Sequence, residues 1–350
     1  MPVVPSFTER VLVPRLSKTF GVVTKLFVDI VAAGAFRAAA VALRLGVFEA
    51  LNRDPLTAAE VATAIKADGR ATAVLLDALE AFGYLKETER RYANTDISRA
   101  LLRDSPNSLS QLIQNFETLV FEFWDLHLGE AVRKGRSSVT FYDWLNRSPE
   151  RWRLFNSFEV TLARLFGDAI ARKAQVPPAA RRLLDVGGGH GMHSVIFCRR
   201  YPALSATVLD KPEPLETAHH VIASEGMTGR VSTQPGDFWI DGFGEGYDVA
   251  LVFNVLHGYL PDENIALLRK VASALNPCGL VVIWENIRGE EGGPLFRAVN
   301  RMFGLNYLVT LGSQVYSFDE ISRWLISSGF RNPRRPRPVS LGLVTATKAG

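Results

Sequence analysis

The feature that most constrains the fold is a regular alternation of strands and helices over the second half of the chain. Six short β-rich runs are predicted as strands: Leu183 to Val186, Ala206 to Leu209, Val231 to Gln234, Asp248 to Val255, Leu280 to Trp284 and Leu343 to Thr347. Helical patterns lie between them, near residues 193–200, 214–225 and 262–275. Alternation of this kind predicts a parallel, doubly wound sheet of the α/β class.

The first part of the chain is predicted to be helical. Residues 1–30 carry apolar residues at helical spacing, which predicts an arm whose apolar stripe needs cover from a partner subunit or from the rest of the chain. Residues 33–105 predict three helices and a hairpin, the pattern of a winged helix. The predicted elements are a helix from Phe36 to Leu51, a helix capped by Thr57 and Glu60 and stopped at Asp68-Gly69, a helix from Ala71 to Phe82, and a hairpin from Tyr84 to Ala93.

The charge of the third helix argues against nucleic acid as a partner. Its charged residues are Arg70, Asp77 and Glu80, so it is net acidic, whereas a groove-reading helix needs basic or amide side chains. We therefore expect this module to serve packing or dimerisation. The basic run from Arg331 to Arg337 has no interleaved aromatic residues and is predicted to be a solvated, Pro-interrupted connector.

These patterns divide the chain into three predicted parts. Residues 1–105 form the arm and the winged-helix dimerisation domain, and residues 106–175 form an aromatic-rich helical linker that contributes to a pocket. Residues 176–350 form the α/β domain, in which Ser317 and Glu320 make a capping box that opens a helix ending at Gly329.

Composition favours a cytoplasmic protein without metal or membrane span. The two cysteines have no metal-ligand spacing and do not form a disulfide framework, and the N-terminus lacks the order of a signal peptide. In the apolar stretch from residue 19 to 51, charges are expected to prevent a membrane span; they are Lys25, Asp29, Arg37 and Arg44.

A glycine-rich loop, LLDVGGGHG, lies where the first strand of the α/β region turns into its first helix. Gly187 and Gly189 would let a ligand approach the backbone closely. Such a loop alone could be a dinucleotide site, a nucleoside site or a tight turn. Asp185 lies beside it, and its carboxylate would repel a pyrophosphate but suit a ligand with an ammonium group.

Further acids follow the next strands. Asp210 ends the second strand, 21 residues after Gly189, where a carboxylate can accept hydrogen bonds from ribose hydroxyls. Asp237 and Phe238 follow the third strand and could hold an adenine. Asn254, at the end of the fourth strand, is also predicted to bind the cofactor. Three acids and a glycine loop at neighbouring strand ends predict a site for a cationic, adenosine-like ligand, which S-adenosylmethionine fits.

The motifs LLDVGGGHG, GDFW and NVLHGYLPDE, with ALLRKVASALNPCGLVVIWE, resemble those of the class I S-adenosylmethionine-dependent methyltransferases. More narrowly, residues 35–349 resemble the two-domain small-molecule O-methyltransferases of plants and bacteria, of the hydroxyindole and caffeate types. The resemblance implies a Rossmann-like methyltransferase domain, a winged-helix module that serves homodimerisation, S-adenosylhomocysteine as product, and no metal.

The resemblance also implies roles for individual residues. His257 falls on the family's general base and Glu285 on one of the two acids that flank it. The second acid is replaced by Val315, and the family's Asp-Trp pair after the histidine is Gly258-Tyr259 here. A neutral imidazole is a competent base near pH 7, so these departures leave the base but change its surroundings.

The predicted function is methyl transfer to a hydroxyl of a small, aromatic acceptor. Candidates for the acceptor wall are Phe116, Trp124, Phe158, Met302, Phe303 and Tyr307. Alternatives are a relative that methylates nitrogen, sulfur or carbon or catalyses another reaction, and a winged-helix regulator that senses a nucleoside-like ligand. A NAD-dependent oxidoreductase is disfavoured by Asp185. The sequence does not determine whether the methylated atom is nitrogen, oxygen, sulfur or carbon.

Overall fold

The structure is a computed structural model that describes residues 18–104, 108–289, 293–338 and 342–350. The chain divides into two compact units, one ending at Leu119 and the other running from Val120 to Gly350. Most of the segment predicted as a linker thus belongs to the second unit. The first 17 residues of the predicted arm lie outside the described residues.

The first unit is helical with one small hairpin. Its elements are α1 (Lys18–Leu45), α2 (Val47–Ala50), α3 (Ala58–Ile65), α4 (Gly69–Ala81), β1 (Leu85–Thr88), β2 (Arg91–Asn94), α5 (Asp96–Arg99) and α6 (Ser110–Asn115). Its core contains the fully buried side chains of Leu43, Phe48, Leu76 and Leu79. The predicted capping box is present at α3, where Thr57 and Glu60 each accept a hydrogen bond from the other's backbone N–H.

Two predictions in this unit were wrong. Residues 18–30 of the predicted arm run without a break into the helix predicted from Phe36, and together they form α1, which ends at Leu45. Gly46 takes a left-handed conformation with φ of 81°, and the rest of the predicted helix is the separate short helix α2. Asp68 does not stop the second helix: α3 ends earlier, and Asp68 Oδ1 accepts the backbone N–H of Ala71 at 2.8 Å, which caps α4. An Asp before a helical pattern favours a cap at the N-terminus of the next helix over a stop.

Helix α1 is buried at one end and apolar at the surface of the other. Val23–Leu45 is long and apolar enough, by length and composition alone, to cross a bilayer, and it is the one such segment among the described residues. Ala39 and Leu43 near its C-terminus belong to the core. Leu26, Phe27 and Ile30 near its N-terminus are more than half exposed, so this face has no cover within the unit.

The second unit is a three-layer α/β domain preceded by helices. A π-helical turn, Phe116–Phe121, spans the division between the units. The remaining elements are α7 (Glu122–Lys134), α8 (Phe141–Leu145), α9 (Pro149–Ala174), β3 (Arg182–Val186), α10 (Met192–Arg200), β4 (Ser205–Asp210), α11 (Pro212–Ser224), β5 (Val231–Pro235), β6 (Tyr247–Phe253), α12 (Pro261–Ala274), β7 (Leu275–Trp284), α13 (Gly293–Leu311), α14 (Phe318–Ser327), β8 (Phe330–Arg334) and β9 (Leu343–Lys348).

The sheet has the order β5-β4-β3-β6-β7-β9-β8. The first five strands in this order are parallel to one another, whereas β9 pairs antiparallel with both β7 and β8, so the sheet is mixed and not parallel throughout as predicted. Strand β8 was missed: Phe330–Arg334, assigned to a connector, pairs with β9 at the edge. Basic residues and Pro are tolerated there because an edge strand leaves one row of backbone groups unpaired.

The strand order positions the site. The chain leaves β3 toward β4 and β5 on one side, then returns to β6 and β7 on the other. The strand order therefore reverses between β3 and β6, and a crevice at the carboxyl ends of these strands is where ligands bind in open α/β sheets. The glycine loop, Asp210 and the segment after β6 all lie at this edge.

Candidate active site

The glycine loop after β3 has a left-handed backbone that passes close to its neighbours. Gly187 and Gly189 have φ of 67° and 48°, and the backbone N–H of Gly187 donates to the carbonyl of Leu209 at 2.8 Å. A Cβ at Gly187 would lie 3.0 Å from Cγ2 of Val255 and 3.8 Å from the ring of Phe238. Both positions have left-handed backbone, and Gly187 also has a close neighbour, so a residue with a side chain would be strained there.

Asp210 lies at the end of β4 and faces this loop. Its Oδ2 accepts the backbone N–H of Gly189 at 2.8 Å, and its Oδ1 accepts that of Lys211 at 2.7 Å. Burial raises the pKa of this carboxyl, and the two backbone donors oppose that effect. A carboxylate has about four lone-pair sites, so Asp210 can still accept hydrogen bonds from ligand hydroxyls.

Asp185 lies underneath the loop and does not line its open side. It is 1% exposed, its Oδ2 accepts the hydroxyl of Ser194 at 2.7 Å, and a Cβ at Gly188 would lie 2.6 Å from its Cγ. Burial raises its pKa to about 7, with Asp210 adding to the effect and Ser194 opposing it. This carboxyl supports the loop from below.

The segment after β5 brings an acid and aromatic rings to the same edge. Asp237 Oδ1 accepts the backbone N–H of Trp239 at 2.8 Å, which lowers its pKa, and Lys211 Nζ lies 3.4 Å from Oδ2. The ring of Phe238 packs edge-on against Tyr259 at 5.7 Å. Asn254 follows β6 with φ of 53°, an uncommon left-handed conformation for a residue other than glycine.

His257 and Glu285 form the best-defined polar contact of the site. The Nδ1 of His257 lies 2.7 Å from Oε2 of Glu285, and the other carboxylate oxygen, Oε1, accepts the backbone N–H groups of Val255 and Leu256 at 2.8 and 2.7 Å. Glu285 is buried at the end of β7. Its carboxylate therefore fixes both the turn that carries His257 and the orientation of the imidazole.

Tyr307 covers one face of this imidazole. The two rings are nearly parallel, with centroids 3.9 Å apart and an angle of 9°. The side-chain amide of Asn286 donates to the Tyr307 hydroxyl at 2.6 Å. Because both neighbours of the imidazole are held in place, His257 has little freedom to rotate.

The other predicted wall residues are distributed over several helices. Phe303 on α13 packs against Tyr307 with ring centroids 6.1 Å apart, and Met302 precedes it, partly buried. Trp124 Nε1 donates to Asn306 Oδ1 at 3.0 Å, which ties α7 to α13. Phe158 is buried in α9, and Phe116 belongs to the first unit.

Two residues of this region were missed from the sequence. Glu159 on α9 is partly buried, and burial raises its pKa to about 7, an effect that a positive charge on His257 opposes. Gly342 has φ of 71° and pairs with Glu285, whose backbone N–H donates to its carbonyl at 3.0 Å. A Cβ at Gly342 would lie 2.0 Å from the Glu285 carbonyl oxygen. Neither residue belongs to a recognisable motif, so no local signal identifies it.

The histidines of the glycine loop serve packing. His190 and His193 are buried, burial lowers the pKa of His190 to about 4, and the backbone N–H of Met192 donates to His190 Nδ1 at 3.1 Å. Within the described ranges, no group of three or more His, Cys, Asp or Glu side chains is arranged to hold a metal ion.

Known proteins are similar to this chain over most of its length. The family model of the O-methyltransferase domain matches residues 124–331, and that of the O-methyltransferase dimerisation domain matches residues 33–104. The 3-hydroxy-5-methyl-1-naphthoate 3-O-methyltransferase of Streptomyces sahachiroi is 30% identical over 320 residues, covering 88% of this chain and 90% of the relative. The L-tyrosine C(3)-methyltransferase of Streptomyces lavendulae is 26% identical over 333 residues, covering 90% of each.

The fold agrees with a solved structure as well. Human N-acetylserotonin methyltransferase, solved in complex with SAM, superposes with a TM-score of 0.84 over 97% of this chain and all of that chain, at 24% identity. This likeness shows the fold, while the family matches cover both of the predicted modules. The chain therefore belongs to the S-adenosylmethionine-dependent O-methyltransferases, with a dimerisation domain ahead of the methyltransferase domain.

Proposed function

We propose that the protein transfers a methyl group from S-adenosylmethionine to a hydroxyl of a small aromatic acceptor, with His257 as general base. The observation that carries this proposal is the 2.7 Å contact between His257 Nδ1 and Glu285. An ionised carboxylate only accepts hydrogen bonds, so Nδ1 holds the proton and Nε2 keeps its lone pair. Nε2 has no hydrogen-bond partner among the described residues, which leaves it available to an acceptor hydroxyl.

The strand ends offer a site that fits this cofactor. Gly187 and Gly189 present backbone without side chains at this edge, and Asp210 retains acceptor capacity for ribose hydroxyls. Asp185 would act on the ammonium group through the loop above it. The residues proposed to hold the cofactor are Asp185, Gly187, Gly189, Asp210, Asp237, Phe238 and Asn254.

The bound cofactor supplies a methyl group on a positively charged sulfonium and leaves as S-adenosylhomocysteine. The chain's own task is to hold the acceptor oxygen in line, since alignment provides most of the rate in such a displacement. His257 Nε2 takes the hydroxyl proton, and Glu285 stabilises the imidazolium that results. A base of this kind contributes typically about 10²–10⁴-fold.

The acceptor wall is proposed to be aromatic. Phe303 and Tyr307 form a continuous row of rings with His257, a surface on which a flat ring can stack. Trp124, Phe158 and Met302 complete the wall in this proposal. Such walls suit a small apolar acceptor with few polar groups.

The test compares the wild type with His257→Ala on a panel of phenols, amines and thiols, with S-adenosylhomocysteine and product mass as readouts. Phenol methylation should fall by about 10² or more. The exposed His220 provides the matched control, and His220→Ala should keep full activity. Undiminished turnover of phenols by His257→Ala, or failure of the wild type to bind S-adenosylhomocysteine by calorimetry, would contradict the proposal.

Carbon methylation is the second candidate. The relative from Streptomyces lavendulae that is named as a C(3)-methyltransferase of L-tyrosine supports this candidate. Gly258 and Val315 support it too, because they stand at positions where the small-molecule O-methyltransferases that the sequence resembles carry acids. Activating a ring carbon also requires a deprotonated phenol, so His257 would keep its role. A phenol deuterated beside its hydroxyl distinguishes the two reactions, because methylation at that carbon releases one deuterium and O-methylation releases none.

The first unit is proposed to form a homodimer. The dimerisation-family match and the exposed apolar face of Leu26, Phe27 and Ile30 support a second copy as the cover for α1. We also propose domain boundaries at residues 105 and 175. A cytoplasmic location is proposed as well, because Cys198 and Cys278 are both free thiols and a reducing compartment keeps thiols in that state. Sedimentation of the purified chain tests the dimer.

A further inference from the structure

Asn264 lies near the start of α12 and has no exposed surface. Its side-chain nitrogen, Nδ2, donates to the carbonyl of Leu256 at 2.9 Å and to the carbonyl of Tyr259 at 3.1 Å. These two carbonyls lie on either side of His257 in the chain. One side chain from the following helix therefore bridges the 3₁₀ turn that carries His257, Leu256–Gly258.

The chemistry of the two contacts fixes the orientation of this amide. A reversed amide would place its oxygen, Oδ1, against two carbonyl oxygens, and none of these three atoms can donate a hydrogen bond. Nδ2 must therefore face the turn. Oδ1 of Asn264 is left buried, without a hydrogen-bond partner among the residues that the structure describes.

An unpaired acceptor of this kind is uncommon, because folded proteins pair nearly all of their buried polar groups. Leaving Oδ1 of Asn264 unpaired costs stability, and an apolar side chain of the same shape would avoid that cost. The two carbonyls also have other donors. That of Leu256 accepts the backbone N–H of Tyr259 at 3.3 Å, and that of Tyr259 accepts the hydroxyl of Tyr316 at 2.7 Å. What Asn264 adds is a restraint on the turn.

Glu285 restrains the same turn from the end of β7. Its Oε1 accepts the backbone N–H groups of Val255 and Leu256, and its Oε2 contacts Nδ1 of His257 at 2.7 Å. Glu285 thus holds the N–H groups that enter the turn, whereas Asn264 holds carbonyls before and after His257. Without Asn264, the end of the turn would be free to move relative to β7, and Nε2 of His257 would move with it.

We propose that Asn264 is a positioning residue for methyl transfer: its amide holds the turn that carries His257, so that Nε2 is aligned with the acceptor hydroxyl. The inference rests on the proposed function, because Asn264 acts only through His257. Misplacing a reacting group by about 1 Å can cost about 10²-fold in rate. We expect a smaller effect here, about tenfold, because Glu285 and Tyr307 still restrain the imidazole.

The experiment compares the wild type with Asn264→Leu, in which the side chain keeps its shape but loses its donors. Asn94→Leu is the matched control. Asn94 is 2% exposed, its Nδ2 donates to the carbonyl of Phe48 at 2.8 Å, and its Oδ1 is also buried without a described partner, but it lies on β2 in the first unit.

Four properties are measured for each protein. They are kcat and KM with a phenol that the wild type methylates, S-adenosylhomocysteine affinity by calorimetry, melting temperature, and the NMR signals of the His257 ring in the complex with S-adenosylhomocysteine. The NMR signals report the position of the ring without requiring turnover.

Asn264→Leu should lower kcat about tenfold and shift or broaden the His257 ring signals, with KM and S-adenosylhomocysteine affinity within twofold of wild type. Its melting temperature should stay within about 4 °C of the wild type, because both carbonyls keep another donor and the unpaired oxygen is removed. Asn94→Leu should keep the wild-type kcat and the wild-type ring signals.

A double-mutant cycle tests whether Asn264 acts through His257. Asn264→Leu should change kcat less than twofold when it is added to His257→Ala, because the turn then carries no imidazole to align. A merely structural role would lower kcat by the same factor in both backgrounds.

The inference is overturned if Asn264→Leu keeps the wild-type kcat and ring signals, or if Asn94→Leu loses as much kcat. Equal factors in the two backgrounds of the cycle would contradict it as well. An Asn264→Leu protein that does not fold, or that melts well below the expected range, would mean that the amide maintains the fold and would also overturn the inference. If His257→Ala keeps full activity, the proposed function fails; if His257→Ala is impaired while Asn264→Leu is normal, only the role of Asn264 fails.

Discussion

Replacing Glu285 with Gln separates the two tasks of this residue. Oε1 of Glu285 accepts the backbone N–H groups of Val255 and Leu256, and Oε2 faces Nδ1 of His257. A Gln must keep its oxygen on the two backbone donors, because its NH₂ group there would set donors against donors. Its NH₂ group then points at Nδ1 and donates to it. The imidazole takes the other tautomer, with the proton on Nε2, and can no longer accept a proton from the acceptor.

The structure sets the expected magnitudes. Loss of the base in the correct tautomer should lower kcat for a phenol by about 10²–10⁴-fold. The turn that carries His257 keeps its two backbone hydrogen bonds, so the melting temperature should change by no more than about 3 °C. Glu285→Ala, in contrast, leaves two buried N–H groups unsatisfied and removes a charged partner, which costs about 3–5 kcal/mol and lowers the melting temperature on the order of 10 °C.

The assay pairs kcat at pH 8 with thermal melting of wild type, Glu285→Gln and Glu285→Ala. Calorimetry with S-adenosylhomocysteine serves as the control, since Glu285 is outside the proposed cofactor site and affinity for Glu285→Gln should stay within threefold of wild type. A Glu285→Gln enzyme with kcat within threefold of wild type would refute the tautomer argument. Equal losses of stability in Gln and Ala variants would refute the assignment of the backbone hydrogen bonds.

Three further outcomes are expected. Asp210→Ala should weaken S-adenosylhomocysteine binding about 10- to 100-fold by calorimetry, because the ribose loses a charged acceptor; unchanged affinity would exclude the ribose role. Gly342→Ala should lower kcat at least tenfold and also destabilise the fold, since its Cβ would overlap the Glu285 carbonyl. Gly329 is the control, because its φ is also positive but a Cβ there would meet open space. Gly329→Ala should lower the free energy of unfolding by only about 1 kcal/mol and leave kcat unchanged. Glu159 has a folded-state pKa of about 7 against an ordinary value of 4.5, so the folded protein binds the proton more tightly and loses stability as pH rises from about 4.5 to 7. The free energy of unfolding of Glu159→Gln should therefore equal that of the wild type at pH 4.5 and exceed it by at most about 3 kcal/mol at pH 8. A gain in stability at low pH instead would contradict this sign.

Local patterns determined much of the fold. The capping boxes of Thr57 with Glu60 and Ser317 with Glu320 are present where the spacing predicts them, since each depends on residues within one helical turn. Six of the seven strands of the α/β sheet were also predicted, because buried strands are continuous apolar runs. The largest error in length was at β7, which begins at Leu275 rather than Leu280.

The errors lie where distant contacts decide the structure. Strand β8 is basic and contains Pro, and only its pairing with β9 makes it a strand. Helix α1 continues from the described part of the predicted arm into the next predicted helix and ends before Gly46, and its C-terminal half packs into the core of the first unit. Neither strand β8 nor the extent of α1 can be predicted from about ten consecutive residues alone.

The site shows the same division. The glycine loop, Asp210 and His257 could be predicted from the sequence, because each follows a recognisable strand and parallel strands bring their carboxyl ends to one edge. Tertiary structure alone decided that Tyr307 stacks on His257, that Asp185 lies beneath the loop rather than on its open side, and that Gly342 packs against Glu285. These relations join elements that are far apart in the chain, and side-chain contacts between such elements depend on packing rather than on local periodicity.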